Sequence, residues 1–245
     1  MKISNDCRGD ARMKYMGSKS RIAKYIVPII QSYIDKSGYD YYVESMVGGA
    51  NIIDKIKAPI KIGYDINKYL IALLNQAQTD CSIFPDTYDE EFYQLVKNNK
   101  DNYLDWLVGL VGFSTFGAKW WGGYPRDRKG NRDIIAESIR NIKKQSENLK
   151  GILFLDLDYL ESNHRNTVIY NDPPYKLATG YGTKFNYEAY YDWCRKQRNN
   201  GCIVLCSEYE MPDDFKCIWE KEYSVNFDVN RITKQKRVER LFVLE

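Results

Sequence analysis

Three short β-branched or aromatic runs in this chain each end on a carboxylate: Tyr41-Tyr42-Val43-Glu44, Ile60–Tyr64 with Asp65, and Thr167–Tyr170 with Asn171-Asp172. Runs of that length and composition read as buried strands. The first is followed by Gly48-Gly49-Ala50 and a helix predicted near Asn51–Ile56, the second by a helix predicted from about Lys68 to Thr79. A β-α-β-α opening of this kind predicts a parallel, doubly wound α/β sheet, because parallel neighbours need a crossover between them. A helix is predicted ahead of it over Ser20–Ile34, with Ile22, Ile26, Ile29, Ile30 and Tyr33 on one face and a kink or interruption at Pro28. Further strands are predicted at Ile152–Leu155 and Cys202–Ser207, with a helix over Glu188–Arg198 between them. Two closing strands, Tyr223–Asp228 and Arg240–Leu244, are joined by a basic loop over Asn230–Arg237.

The 245 residues fit one large domain, or one domain with a substantial insertion, and 44% hydrophobic residues suffice for a full core. The alternation breaks between about Ile83 and Asn148, where helical segments surround a glycine- and aromatic-rich stretch. Formal charge is only +3, so a nucleic-acid partner would be met by a local patch rather than a global field. A single histidine, His164, argues against a zinc site and against a Ser/His or Cys/His triad. The six cysteines show no Cys-x-x-Cys pair, and Cys202, Val204 and Cys206 should share one buried strand face. Residues 1–13 are polar, no signal peptide is read, and no apolar run approaches 18 residues. The expected compartment is therefore the cytosol, with reduced thiols.

Asn171-Asp172-Pro173-Pro174-Tyr175 carries the most chemistry. It sets a carboxylate, a rigid carbonyl and a ring at one sheet edge. The prolines fix φ and remove backbone donors, which leaves the Pro173 carbonyl aimed and available. An exocyclic amine of a nucleobase is a poor nucleophile, because its lone pair is delocalised into the ring. A carboxylate and a carbonyl accepting its two N–H protons can turn that lone pair toward an electrophilic methyl. The plain alternative is a proline-rich turn with Asp172 as a turn residue.

Ser45–Asn51 joins the first strand to the next helix, and its small residues let a ligand approach the backbone. Asp65, ending the next strand, stands where an acid binds ribose hydroxyls, although the full dinucleotide glycine pattern is absent. Lys14–Lys19 is either a helix lead-in, with Ser18 or Ser20 as N-cap, or a wall of the same site. Asp158-Tyr159 is either an adenine-holding pair or a solvated loop. Between Gly117 and Asp133, five basic residues (Lys119, Arg126, Arg128, Lys129, Arg132) face two acidic ones (Asp127, Asp133), beside Trp120, Trp121 and Tyr124. That mixture suits a hairpin laid on nucleic acid, the alternative being a solvated loop with packed tryptophans.

Together these motifs resemble the DNA adenine-N6 methyltransferases of the Dam type, the D12 class, in the family's order and over nearly the whole chain. The resemblance implies a seven-stranded, mostly parallel methyltransferase sheet with a helical or hairpin DNA-recognition insertion. It implies S-adenosylmethionine as methyl donor, duplex DNA as partner, no metal and no membrane. The catalytic domain would comprise residues 1–80 and 150–245, and the insertion residues 81–149. Carried over residue by residue, the cofactor would meet Tyr15, Lys19, Glu44, Met46, Gly48, Gly49, Ala50, Asp65, Asp158, Tyr159 and Asp172. The catalytic motif would be Asp172, Pro173, Pro174 and Tyr175, with Tyr175 as a stacking face. Lys119, Trp120, Tyr124, Arg126, Arg128 and Lys129 would meet DNA. The chain departs from the family at Ser45-Met46, where Pro-Phe is usual, at Ala50, where glycine is common, and at Tyr15, where tryptophan is commoner.

The implied reaction is methyl transfer to N6 of an adenine flipped out of duplex DNA, at a site for which the resemblance leans toward GATC. The setting would be a bacterial cell or a phage-infected host, with restriction–modification as the usual context. Methylation of cytosine N4 or of a protein glutamine amide, and a non-catalytic DNA-binding relative, are the alternatives.

Overall fold

The computed structural model describes residues 12–127, 130–175, 185–226 and 234–245. The chain forms two compact units. One comprises Arg21–Val47, Lys55–Ile66 and Ile152–Glu245. It holds helices α1 (Ala23–Ser37) and α6 (Tyr187–Asn199) and seven strands among the described residues. These are β1 (Tyr41–Glu44), β2 (Ile60–Asp65), β3 (Ile152–Asp156), β4 (Thr167–Asn171), β5 (Ile203–Glu208), β6 (Lys216–Asn226) and β7 (Lys234–Leu244). They form one sheet in the order β3-β2-β1-β4-β5-β7-β6. The pairs among β1 to β5 are parallel, and β7 runs antiparallel to both its neighbours. This is the mostly parallel, seven-stranded α/β sheet expected from the sequence.

Local chemistry explains the elements. Every residue of β4 is buried, as a strand covered on both faces requires. Val43, Ile169, Val204, Cys202 and Cys206 share a core with Tyr190, Trp193 and Cys194 of α6. Gly63 lies inside β2 because an added Cβ would come within 2.9 Å of Val47 and 3.0 Å of Phe154. Helix α1 runs through Pro28 without the interruption that is one of the two expected outcomes there. Its buried stripe, Ala23, Ile26, Ile30 and Ile34, anchors it on both sides of the missing hydrogen bond. Gly38, at φ 68°, ends it in the left-handed conformation. The helix predicted near Asn51–Ile56 is only a 3-10 turn over Ile53–Lys55. The left-handed Ala50 on one side and Pro59 on the other leave no room for a longer element. The closing strands are longer than predicted, and the loop over 227–233 lies outside the described residues.

The second unit comprises the described residues up to Ser20, Gly48–Asp54 and Asn67–Gly151. It holds α2 (Lys68–Thr79), α3 (Glu90–Asn98), α4 (Asp105–Phe113) and α5 (Ile134–Leu149). Asn67, Asp89 and Asp133 cap α2, α3 and α5 with their side-chain oxygens. Helix α4 is buried from Val108 to Phe113. It packs so close to α2 that a Cβ on Gly109 would lie 2.2 Å from the Tyr69 carbonyl oxygen. The described residues of the Gly117–Asp133 segment contain no strand and form irregular loop with one 3-10 turn, Phe116–Ala118, in place of the predicted hairpin. Three glycines and a proline over Gly117–Pro125 deny it strand pairing.

Candidate active site

In the sheet-bearing unit, the strand order reverses between β1 and β4: β2 and β3 lie to one side of β1, and β5 lies beyond β4. Open α/β sheets bind ligands beyond the carboxyl ends of their strands at such a switch point. Glu44 ends β1, and Asn171-Asp172 ends β4, at that place. The two strand ends are tied together, since the Ser45 hydroxyl donates to the Asn171 side-chain oxygen. The Asn171 amide in turn points at the thiols of Cys194 and Cys206, both at 3.8 Å. Asn171 is wholly buried, so this polar lattice fixes where the chain turns. Glu44 is 3% exposed and accepts from the Tyr42 hydroxyl at 2.7 Å.

The turn after β4 is held at two further points. The Pro174 carbonyl accepts from the Tyr187 hydroxyl of α6 at 2.5 Å. The Tyr175 hydroxyl donates to Glu239 of β7 at 2.8 Å. Tyr175 is 9% exposed and packs edge-on against Tyr209, with centroids 4.6 Å apart. Its ring is therefore mostly enclosed rather than presented as an open face. Burial, then the Asp172 and Glu239 carboxylates, push the Tyr175 hydroxyl well above the ordinary phenol range, so it stays a donor. Tyr170 is raised likewise by burial and Asp172, and shares a 2.7 Å hydrogen bond with Ser207.

Asp65 is half-buried at the end of β2, in register with Asp156 of β3, and its carbonyl accepts from Leu157. A half-buried carboxylate at a parallel strand end fits a ribose diol. Asp158 caps the next 3-10 turn, accepting from the Leu160 amide at 3.0 Å. Tyr159 is 7% exposed and lies edge-on to Tyr190 and Trp193 in the core, where burial and Asp158 push its hydroxyl up to about 12. Packing accounts for the position of Tyr159, and Met46 likewise packs against this core.

In the helical unit, Gly48 is at φ 49° and Ala50 at φ 55°. A Cβ on Gly48 would lie 2.9 Å from the Tyr15 ring, and one on Gly49 would lie 2.8 Å from the Tyr15 Cβ. The bare backbone is thus what lets Tyr15 lie on the loop. Ala50 takes a conformation that disfavours a side chain by about 1–2 kcal/mol. Gln145 of α5 is fully buried and ties the region together. Its amide donates to the carbonyls of Gly49 and Ala50 and to Asp54, and its oxygen accepts from Met13. Lys19 bonds the Gly17 carbonyl at 3.1 Å.

Tyr15 begins a chain of rings that runs through Phe113, Trp120, Trp121, Tyr93 and Tyr124. Trp120 also stacks on Tyr69 and fills the space a Gly112 side chain would need. Trp120 and Tyr124 are therefore packed, and the Tyr124 hydroxyl bonds the Tyr88 carbonyl at 3.2 Å. Lys119 is exposed. Arg126 is exposed and paired with Glu90 at 2.5 Å, and Arg132 pairs with Glu137 at the same distance. Arg128 and Lys129 lie outside the described residues. The ion pairs with Glu90 and Glu137, acids beyond the segment, offset much of the positive charge read from the segment alone.

Sequence reasoning missed Gln145, Tyr187, Glu239 and the Ser45–Asn171 pair. Gln145, Glu239 and the Ser45–Asn171 pair act across 64 to 132 positions, Tyr187 across 13, and none carries a local motif. Among the described residues, no group of three or more His, Cys, Asp or Glu side chains is placed to hold a metal ion, and no helix is long and apolar enough to cross a membrane.

A family model described as D12 class N6 adenine-specific DNA methyltransferase matches residues 15–115. The family resemblance read from the sequence is thereby borne out over residues 15–115, and Asp172–Tyr175 lies beyond the matched stretch. No curated protein matches the chain. Among solved structures, a Pyrococcus horikoshii protein described as a putative RNA methyltransferase matches at 10% identity and TM-score 0.41, over 91% of this chain and 83% of that one. A likeness that slight says nothing further about this chain. The family match supports DNA methylation as the broad activity, with S-adenosylmethionine as the methyl donor the family implies.

Proposed function

We propose that the chain transfers a methyl group from S-adenosylmethionine to N6 of an adenine flipped out of duplex DNA. One observation carries the reading: Asp172-Pro173-Pro174-Tyr175 leaves β4 at the switch point of the sheet, beside the carboxyl end of β1. The bound donor would supply an electrophilic methyl on a sulfonium. Asp65 would take the ribose hydroxyls and Glu44 would bound the neighbouring strand end. Asp172 and the Pro173 carbonyl would accept the two amine N–H groups and aim the lone pair. The amine nitrogen would take the methyl carbon as its bond to sulfur breaks, with S-adenosylhomocysteine as the leaving group, and the extra proton would then pass to water, so no strong base is required.

Extruding the base costs a few kcal/mol. Stacking on an aromatic ring recovers about 1–3 kcal/mol of it. Tyr175 would supply whatever face its partly enclosed ring offers, with its plane set by the bond to Glu239. Orientation and preorganised electrostatics provide most of the acceleration. In this reading residues 81–149, with Lys119, Trp120, Tyr124, Arg126, Arg128 and Lys129, govern target recognition.

The test is nucleoside mass spectrometry of duplex DNA incubated with the protein and S-adenosylmethionine. N6-methyladenine is the expected product. N4-methylcytosine in its place would reassign the base, and no methylated nucleoside would remove methyl transfer altogether.

A further inference from the structure

A second cluster of cations and rings lies in the sheet-bearing unit, apart from every candidate residue above. It forms where the first turns of α1 meet β6. Tyr25 stacks on Trp219, with centroids 5.9 Å apart and planes 24° from parallel. The Lys221 ammonium sits 3.7 Å from the Tyr25 ring centre, and that of Lys24 sits 5.0 Å away. Arg21 is exposed just before α1. The hydrogen bond from Lys221, with help from Lys24, pulls the Tyr25 hydroxyl below the ordinary phenol range. The two ammonium groups on this ring are chemistry that a phosphate anion would meet.

The position of the cluster narrows the anion. Only three residues separate α1 from β1, so the two run antiparallel and the first turns of α1 lie toward the carboxyl side of the parallel strands, where Tyr25 meets Trp219 of β6. On β6, Lys221 is in register with Glu239, the residue that holds the Tyr175 hydroxyl. A nucleotide extruded toward Asp172 stays bonded to its flanking phosphates, so the surface beside that turn faces phosphodiester groups.

We propose that Arg21, Lys24, Tyr25, Trp219 and Lys221 form a docking surface for the phosphodiester backbone of duplex DNA next to the methylated base. The lysines and Arg21 meet phosphate oxygens, and the Tyr25–Trp219 pair covers the apolar side of the sugars. This rests on the DNA-methylation reading above.

The test compares the full-length wild type with Lys24→Gln/Lys221→Gln, titrating a short duplex DNA over a range of salt concentrations. The double variant should bind more weakly, and its slope of log affinity against log salt should fall by up to ~0.9 for each phosphate left without its cation. Binding of S-adenosylmethionine and the melting temperature should not change. Lys24→Arg/Lys221→Arg should keep the wild-type slope. Arg21→Gln/Lys24→Gln, which leaves Lys221 on the Tyr25 ring, should lower it as well. Equal affinity and slope in the wild type and both glutamine variants would overturn the surface and leave the methylation reading standing. A loss seen on duplex RNA and not on duplex DNA would also overturn it. A wild type that fails to bind duplex DNA at all would overturn both.

Discussion

In the sheet-bearing unit, Glu44, Asp65 and Asp172 each stand where a parallel strand runs out, whereas in the helical unit Tyr15, Trp120 and Tyr124 stand inside a chain of packed rings. The first set is placed by backbone register, which a hydrophobic run and its terminating residue announce. The second is placed by side-chain packing, which depends on partners far along the chain. A carboxylate at a strand end can therefore be lost without disturbing the strand, while a ring or glycine in the helical unit serves the packing first.

The sharpest way to break this contrast is Asp172→Ala. Turnover should fall by more than tenfold, with the melting temperature and DNA affinity retained. A variant keeping over a tenth of wild-type methylation would show that the carboxylate does not hold the amine.

Asp65→Ala comes next. Loss of charge-assisted hydrogen bonds worth roughly 1.5–3 kcal/mol should weaken S-adenosylmethionine binding by one to two decades. Calorimetry giving an unchanged dissociation constant, with the fold intact, would remove Asp65 from the ribose.

Gly109→Ala probes the helical unit, where the new methyl meets the Tyr69 carbonyl. Overpacking of this kind should cost about 1–3 kcal/mol. A lowered midpoint in denaturant is expected, and an unchanged one would mean that α2 and α4 separate easily.

The smallest effect concerns acid. Hydrogen bonds from Arg132 and Lys14 hold the Glu137 carboxyl at about 2, below its ordinary 4.5. A depressed carboxyl contributes stability above the unfolded value, and that contribution is lost as pH falls from about 4.5 through about 2. The group is partly exposed, and such pairs are worth at most about 1 kcal/mol. Glu137→Gln should therefore slightly flatten the fall in melting temperature across that window. An identical pH profile would mean that the pair contributes nothing.

The sequence alone placed the strands at Tyr41–Glu44, Ile60–Asp65 and Thr167–Asn171, the helix at Lys68–Thr79 and the parallel sense of the sheet, because strand and helix periods and terminating residues are local properties. It also put Asp65 and Asp172 at strand ends for that reason. Tertiary structure decided the rest. It enclosed Tyr175 between Glu239 and Tyr209, drew Tyr159 into the core, and turned Trp120 and Tyr124 into packing residues. It carried α1 through Pro28 and brought Tyr25 against Trp219 and Lys221. Tyr124 and Tyr88 are 36 positions apart, Tyr175 and Glu239 are 64 apart, and Tyr25 and Trp219 are 194 apart (219 − 25). A side chain's partner at such a distance is chosen by how the elements pack, and no local pattern records it.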